Sequence, residues 1–327
     1  MISHRILCAL ALSLAASAFS GDLLGSTRRD DVPDSAYRGL GNRAAFKSVG
    51  RVEIDYGQGF EAIGTATLYG RDRLVSAAHV FDDSALAGAQ GVRINFGKGR
   101  IQNIDFTTPG VVNINPGYNS STLNNDVSVV FLPQPLSLGT ARLYHGRKIK
   151  LGTTITFVGY GDTGTGVTGS RFYSTDKRGG QNSLDRYVRN GKDFEIDFDR
   201  PGTSRYNSMG SSIALSLEGL IGPGDSGGSV WVRKGGHWKV IGINDYGVDW
   251  FPNGRGDGIE DDYGDHSGFV YLPKYSSWIS SLSAPTQTAG VQRSASAVNA
   301  IPEPTSFALF GFAAAVALLG RHRTRRA

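Results

Sequence analysis

The 327-residue chain has a single cysteine, Cys8. No intrachain disulfide can form, so a disulfide framework is excluded and the fold has to be held by its own core. Cys8 stands in a stretch that reads as removable: His4 and Arg5, an apolar run from Ile6 to Ala16, then small residues at Ala16, Ala18 and Ser20. This is the pattern of a secretory signal peptide cut after Ala18 or Ser20, and too little apolar sequence precedes Cys8 for a lipoprotein. The exported protein is expected to contain no cysteine. An excess of charge is lacking too once the ends are set aside. Lys plus Arg number 34 and Asp plus Glu 29, but residues 1–20 and 305–327 hold five arginines and no acid, which leaves 29 of each. The balance removes the electrostatic argument for a nucleic-acid partner. Sustained helical periodicity is also scarce, which excludes helical bundles and most α/β folds.

The C-terminus carries Ile301-Pro302-Glu303-Pro304, an apolar run of fourteen residues from Phe307 to Gly320, and Arg321, Arg323, Arg325 and Arg326. Such a run is short for a membrane span, although Thr305 and Ser306 extend it, and the arginines would hold the end on the cytoplasmic side. Pro-Glu-Pro, apolar helix and basic tail together resemble the PEP-CTERM sorting signal of Gram-negative bacteria. The resemblance implies transient membrane insertion, recognition and cleavage by an exosortase-type enzyme, and a place in the cell envelope, at the surface or outside the cell. A plain C-terminal anchor is the alternative. Residues 284–300, rich in Ala, Ser and Thr, read as a flexible linker. Residues 21–44 are polar and expected to be irregular.

Between these ends the chain consists of short β-forming runs separated by Gly and Asn turns: Arg51 to Asp55, Gly64 to Tyr69, Gly91 to Phe96, Val127 to Leu132, Thr153 to Gly159, Asp193 to Phe198, Ser212 to Leu217 and Gly228 to Val232. Lys234-Gly235-Gly236 marks a hairpin that returns through Trp238 to Ile243. One helix is expected, Pro273 to Leu282, with Tyr275, Trp278 and Ile279 on its docking face. The pattern predicts an all-β domain over 45–283, long enough to bury a substantial core unaided.

Gly224-Asp225-Ser226-Gly227-Gly228 places a serine on a tight glycine turn. Only glycine tolerates the backbone angles such a turn needs. The turn exposes the Ser226 hydroxyl and aims the amides of Gly224 and Ser226 at one point, where an oxyanion could be held. A serine nucleophile needs a base and a carboxylate to orient it. His79 closes the apolar run Leu74-Val75-Ser76-Ala77-Ala78, and Asp126 opens the run Val127 to Leu132, with Asp105 a possible substitute. The other histidines lie in terminal segments or polar turns.

Ser76-Ala77-Ala78-His79, Asp126-Val127 and Gly222-Pro223-Gly224-Asp225-Ser226-Gly227-Gly228, with weaker matches at Gly159-Tyr160-Gly161 and Gly268-Phe269-Val270-Tyr271, resemble the chymotrypsin/trypsin family of serine endopeptidases. The resemblance implies two packed six-stranded antiparallel β-barrels with a C-terminal helix and a site in the cleft between them. His79, Asp126 and Ser226 would be catalytic, and Gly224 and Ser226 would form the oxyanion hole. No cofactor or metal is implied, and the substrate would be a protein or peptide. The lack of cysteine departs from the disulfide-stapled animal members and suggests a bacterial branch.

In the family, specificity depends on the residue six before the nucleophile, here Leu220, followed by Ile221; Asp245, Tyr246 and Gly247 would form the substrate-binding edge, with Asp245 in place of the usual serine. Leu220 predicts an apolar pocket rather than one for Lys or Arg. The family's aspartate before the nucleophile pairs with a newly cut N-terminus, yet no Ile-Val-Gly-Gly activation sequence is found here. Either Asp225 has another partner or processing falls within 38–52, near Val49-Gly50. A silent or zymogen-locked homologue acting as a surface or matrix binding protein, and an esterase, are the alternative functions. Two further patterns are set aside. Gly159 to Gly164 fits G-x-G-x-x-G without a helix to follow it, and the acidic residues between 245 and 265 lack EF-hand spacing and default to a solvated loop.

Overall fold

The computed structural model describes residues 26–250 and 258–285. The expected signal peptide, the sorting segment and nearly all of the linker lie outside the described residues. The described chain begins with β1 (Thr27–Arg28) and the helix α1 (Asp34–Gly41). Then follow β2 (Val49–Asp55), β3 (Phe60–Gly70), β4 (Arg73–Ser76), β5 (Gly91–Asn95), β6 (Ile101–Ile104), β7 (Val112–Ile114) and β8 (Ser128–Phe131). These seven form one antiparallel sheet in the order β6-β5-β2-β3-β4-β8-β7. The second half contributes β9 (Thr154–Gly159), β10 (Thr163–Thr165), β11 (Gly169–Phe172), β12 (Arg178–Ser183), β13 (Arg186–Val188), β14 (Asp193–Asp197), β15 (Gly219–Leu220), β16 (Ser229–Lys234), β17 (His237–Val248) and β18 (His266–Tyr271). Seven of these make the other large sheet, β12-β9-β16-β17-β18-β14-β13, and the short sheet β11-β10-β1-β15 brings β1 into this half.

The result is the expected all-β architecture of two curled sheets, a chymotrypsin-like pair of β-barrels with a C-terminal helix. Each large sheet has seven strands rather than six. Alternation along the strands gives each sheet one buried face: β5 buries Val92 and Ile94 and leaves their neighbours half-exposed. Val52, Ile54, Leu68, Leu74 and Val129 fill the first core, where Trp231 also packs. Phe46 wedges beside this core, its ring centroid 5.2 Å from both Trp231 and Trp238. The second core is aromatic, with Phe194 stacked on Phe269 at 5.0 Å and Phe157 at 6.4 Å from the same ring. Each such side chain contributes about 1.5–3 kcal/mol of apolar burial, and the cores do the work that disulfides do in small secreted domains.

Three local expectations change. The stretch 21–44 is not irregular throughout: Asp34–Gly41 is helical, with Pro33 at its start, Asp34 in the first turn paired with Arg38 at 3.0 Å, and Tyr37 and Leu40 buried. Ser212 to Leu217 is not a strand. A turn closes there, with the Leu215 amide bonded to the Glu218 carboxylate and the Glu218 amide to Leu215 O at 3.2 Å, and Ile213 is exposed. The C-terminal helix opens as a 3₁₀ turn, Leu272–Tyr275, before α2 (Ser276–Ser281), with Pro273 in its first turn, where the missing amide would have no partner in any helix.

The second half also buries many carboxyl groups. Burial, and then neighbouring carboxylates, push Asp185 and Glu218 up to about 8 and Asp199 to about 7; burial likewise takes Asp265 to about 7. A carboxyl raised in the folded state binds its proton more tightly there than in the unfolded chain, so its stabilisation is present in acid and is lost as pH climbs from about 4 towards these values. Thermal melting followed over a pH series is therefore expected to show its highest midpoint in mildly acid buffer and a decline up to about pH 8. Asp185→Asn should flatten that decline.

Candidate active site

The ladder between β4 and β8 sets the first two side chains. Ser76 pairs with Ser128 and Arg73 with Phe131, and this register, continued past the ladder, sets Asp126 across from Ala78, next to His79. Ala77 and Ala78 are fully buried, so the backbone here runs close to its neighbours. Ser128 Oγ donates to Ala77 O at 2.9 Å and locks the two ends together. Asp126, with no solvent exposure, accepts from the His79 amide at 2.8 Å through one oxygen and meets His79 Nδ1 with the other. Burial alone would push the Asp126 carboxyl up, but the His79 ring and amide and the Asp245 side chain outweigh it and hold Asp126 below its ordinary value. An ionised acceptor at Nδ1 fixes the proton there and leaves Nε2 free to take one. Asp105 is an exposed turn residue bonded to Thr107 and Thr108, so it is no substitute for Asp126.

The serine turn is clamped from both barrels. From β17, Asn244 accepts from the Gly227 amide at 2.9 Å, donates its own amide to Gly228 O at 2.8 Å, and donates its side-chain amide to Asp225 O at 3.0 Å. From β3, the Thr65 amide donates to Ser226 O at 2.8 Å and its hydroxyl to Gly224 O at 3.1 Å. Gly224 sits at φ +84° and Gly227 at +79°. A Cβ on Gly227 would lie 2.1 Å from Ser76 Oγ and 2.2 Å from Thr65 O, so only glycine fits where the turn packs on the strand leading to His79. Among the described residues, neither the Gly224 nor the Ser226 amide donates a hydrogen bond within the chain.

The family profile described as Trypsin matches residues 41–257. The chain belongs to the trypsin family. No match is found among curated proteins. Membership supports a serine-type peptidase acting on protein or peptide substrates, and the structure extends the domain past the matched residues through β18 and α2.

A cavity of about 330 Å³ opens beside Ser226. Ile221, Asp245, Tyr246 and Gly247 line it together with Leu123 and Val248. Leu220 does not. This residue, expected at the pocket, is wholly buried in the second core on β15 and paired with Thr27 of β1. Exposed Asp249 and Glu260 and buried Asp261 add carboxyls to the same lining.

Two partners were beyond the sequence motifs. Asp225, fully buried, is met by the hydroxyl of Ser26 at Oδ2, by the Gly161 amide at 2.8 Å and by the Gly222 amide at 3.3 Å. Ser26 thus fills the first of the two openings left for Asp225, while Val49 and Gly50 are buried in β2. Arg189 is the other. Its guanidinium donates to Leu123 O at 2.9 Å, Thr122 O at 2.8 Å and Asp193 at 3.0 Å, and lies 4.7 Å over the Tyr246 ring. It joins the loop before Asp126 to the edge of the cavity. A positive φ of 50° at Arg189, like that of 57° at Asn125, marks backbone held in place by such contacts.

Proposed function

We propose that the protein is an exported, surface-sorted serine endopeptidase that cleaves peptide bonds through an acyl-enzyme. The contact of His79 with buried Asp126 beside the glycine-clamped Ser226 turn carries this reading. His79 takes the Ser226 proton as Oγ attacks the carbonyl carbon and returns it to the leaving amine; water, deprotonated by the same imidazole, then releases the acid. Asp126 holds the imidazole tautomer and stabilises its charged form. The Gly224 and Ser226 amides receive the oxyanion. Export and sorting rest on the terminal sequence patterns, with an exosortase-type enzyme as the processing partner and the envelope of a Gram-negative bacterium as the destination.

A fluorophosphonate probe tests the chemistry. Wild-type protein is expected to be labelled and Ser226→Ala is not; absence of labelling on folded wild type would assign the chain to the silent or zymogen-locked homologues. Specificity for apolar side chains now rests on Ile221, Leu123, Tyr246 and Val248 rather than on Leu220. A peptide library is expected to be cut after aliphatic or aromatic residues, and preferred cleavage after Lys or Arg would transfer control of the pocket to Asp249, Glu260 and Asp261.

A further inference from the structure

Asp245 lies behind the His79–Asp126 pair with its side chain wholly excluded from solvent. Among the described residues neither of its carboxyl oxygens has a hydrogen-bond donor. The nearest cation, Arg189, stands 3.9 Å away and is engaged by Asp193 and by two backbone carbonyls. One oxygen of Asp245, one of Asp126 and one ring nitrogen of His79 lie within 4.8 Å of one another. Two ionised carboxylates pressed together out of water repel each other and leave lone pairs unsatisfied. A single proton between them turns that repulsion into a hydrogen bond. We propose that Asp245 carries this proton and donates it to Asp126, so that the pair holds one negative charge and Asp245 acts as a positioning residue for the imidazole.

The surrounding groups agree. Asp126, Asp193, Tyr118 and Tyr275 face Asp245 together with His79, and Arg189 is the cation that opposes them. Burial first, then the charges of Asp126 and Asp193, drive the Asp245 carboxyl well above its ordinary value, whereas Asp126 is held low. Asp126 then has three donors, the His79 amide, Nδ1–H and the Asp245 carboxyl proton, and little freedom to turn away from the imidazole.

The inference rests on the proposed role of His79, and its test has one arm that does not. In infrared difference spectra of wild type against Asp245→Asn at neutral pH, the carbonyl stretch of a buried protonated carboxylic acid is expected in the wild type and lost in the variant. Its absence overturns the shared proton whether or not the protein is a peptidase. In turnover, Asp245→Ala is expected to lower kcat roughly ten- to hundredfold, the factor a hydrogen bond to a charged group is worth, with KM little changed. Asp245→Asn, whose amide can donate the same bond, should recover part of that loss. In the proposed arrangement the shared proton is lost once pH rises far enough to ionise both carboxyls. An alkaline limb in kcat is therefore expected in the wild type and absent from Asp245→Asn. Equal rates for wild type and Asp245→Ala, or equal losses and unchanged pH profiles in both variants, overturn the proposal. A protonated-acid band in a protein that neither labels nor cleaves would keep the shared proton and remove the peptidase reading.

Discussion

Ser226→Ala is expected to lower kcat on a peptide substrate by about 10⁴ to 10⁶ with KM and melting temperature near those of the wild type. The side chain is half-exposed on a turn whose geometry is fixed by backbone bonds to Thr65 and Asn244, so removing one oxygen costs no packing. The proposed chemistry, in contrast, loses the only atom that would form the acyl bond. His79→Ala should cost about as much, and the double variant little more than either, since the two act on the same proton. Asp126→Asn is expected to fall by about 10⁴, because an amide facing Nδ1 favours the wrong tautomer. Asp105→Asn, a change in an exposed turn, should leave kcat where it was. Steady-state kinetics on one fluorogenic peptide measures all five variants, and a Ser226→Ala rate within tenfold of the wild type would remove the acyl-enzyme mechanism.

The parts legible in the sequence are those fixed by local pattern. Strands such as Thr154–Gly159 and Asp193–Asp197 follow from alternation and β-branched or aromatic content, and the Ser226 turn from its glycines. The contact between His79 and Asp126 follows from two motifs whose chain order matched a known arrangement. What the sequence did not disclose depends on distant pairing. Leu220 sits six residues before Ser226 as a pocket residue would, yet the pairing of β15 with β1 turns it into the second core, and nothing local to either segment signals that pairing. Helix Asp34–Gly41 was hidden by its length, since only Tyr37, Leu40 and Gly41 are buried in it and eight residues scarcely display a period. Asp245 could be aligned with the substrate-binding edge, but its approach to Asp126 exists only when β17 lies against the loop before β8.

The same limit applies to Ser26, whose replacement by Ala is expected to lower kcat by about 10- to 10²-fold while the protein stays folded. The reason lies in Asp225, the residue between the two amides proposed to hold the oxyanion. Burial pushes its carboxyl up to about 6 against the opposing pull of Ser26, Gly161 and Gly222. The family resemblance implies an ammonium group at this place, and here a neutral hydroxyl faces the carboxylate. Without it, Oδ2 keeps only the 3.3 Å contact with the Gly222 amide, and a buried acceptor stripped of its main donor costs about 1–3 kcal/mol. The turn can relieve that cost by rotating Asp225, which carries the Gly224 amide away from the oxyanion; complete loss of that donor sets the ceiling at about 10² to 10³. The pH dependence gives the sign. A raised carboxyl opposes folding when ionised, so its contribution to stability is full below about pH 4 and gone above about pH 6. Loss of a donor to the ionised form raises the carboxyl further, so the acid limb of kcat in Ser26→Ala should move to higher pH than in the wild type, with Ser26→Thr recovering part of both effects. An unchanged kcat and an unmoved acid limb in Ser26→Ala would show that Gly161 and Gly222 suffice to hold the turn.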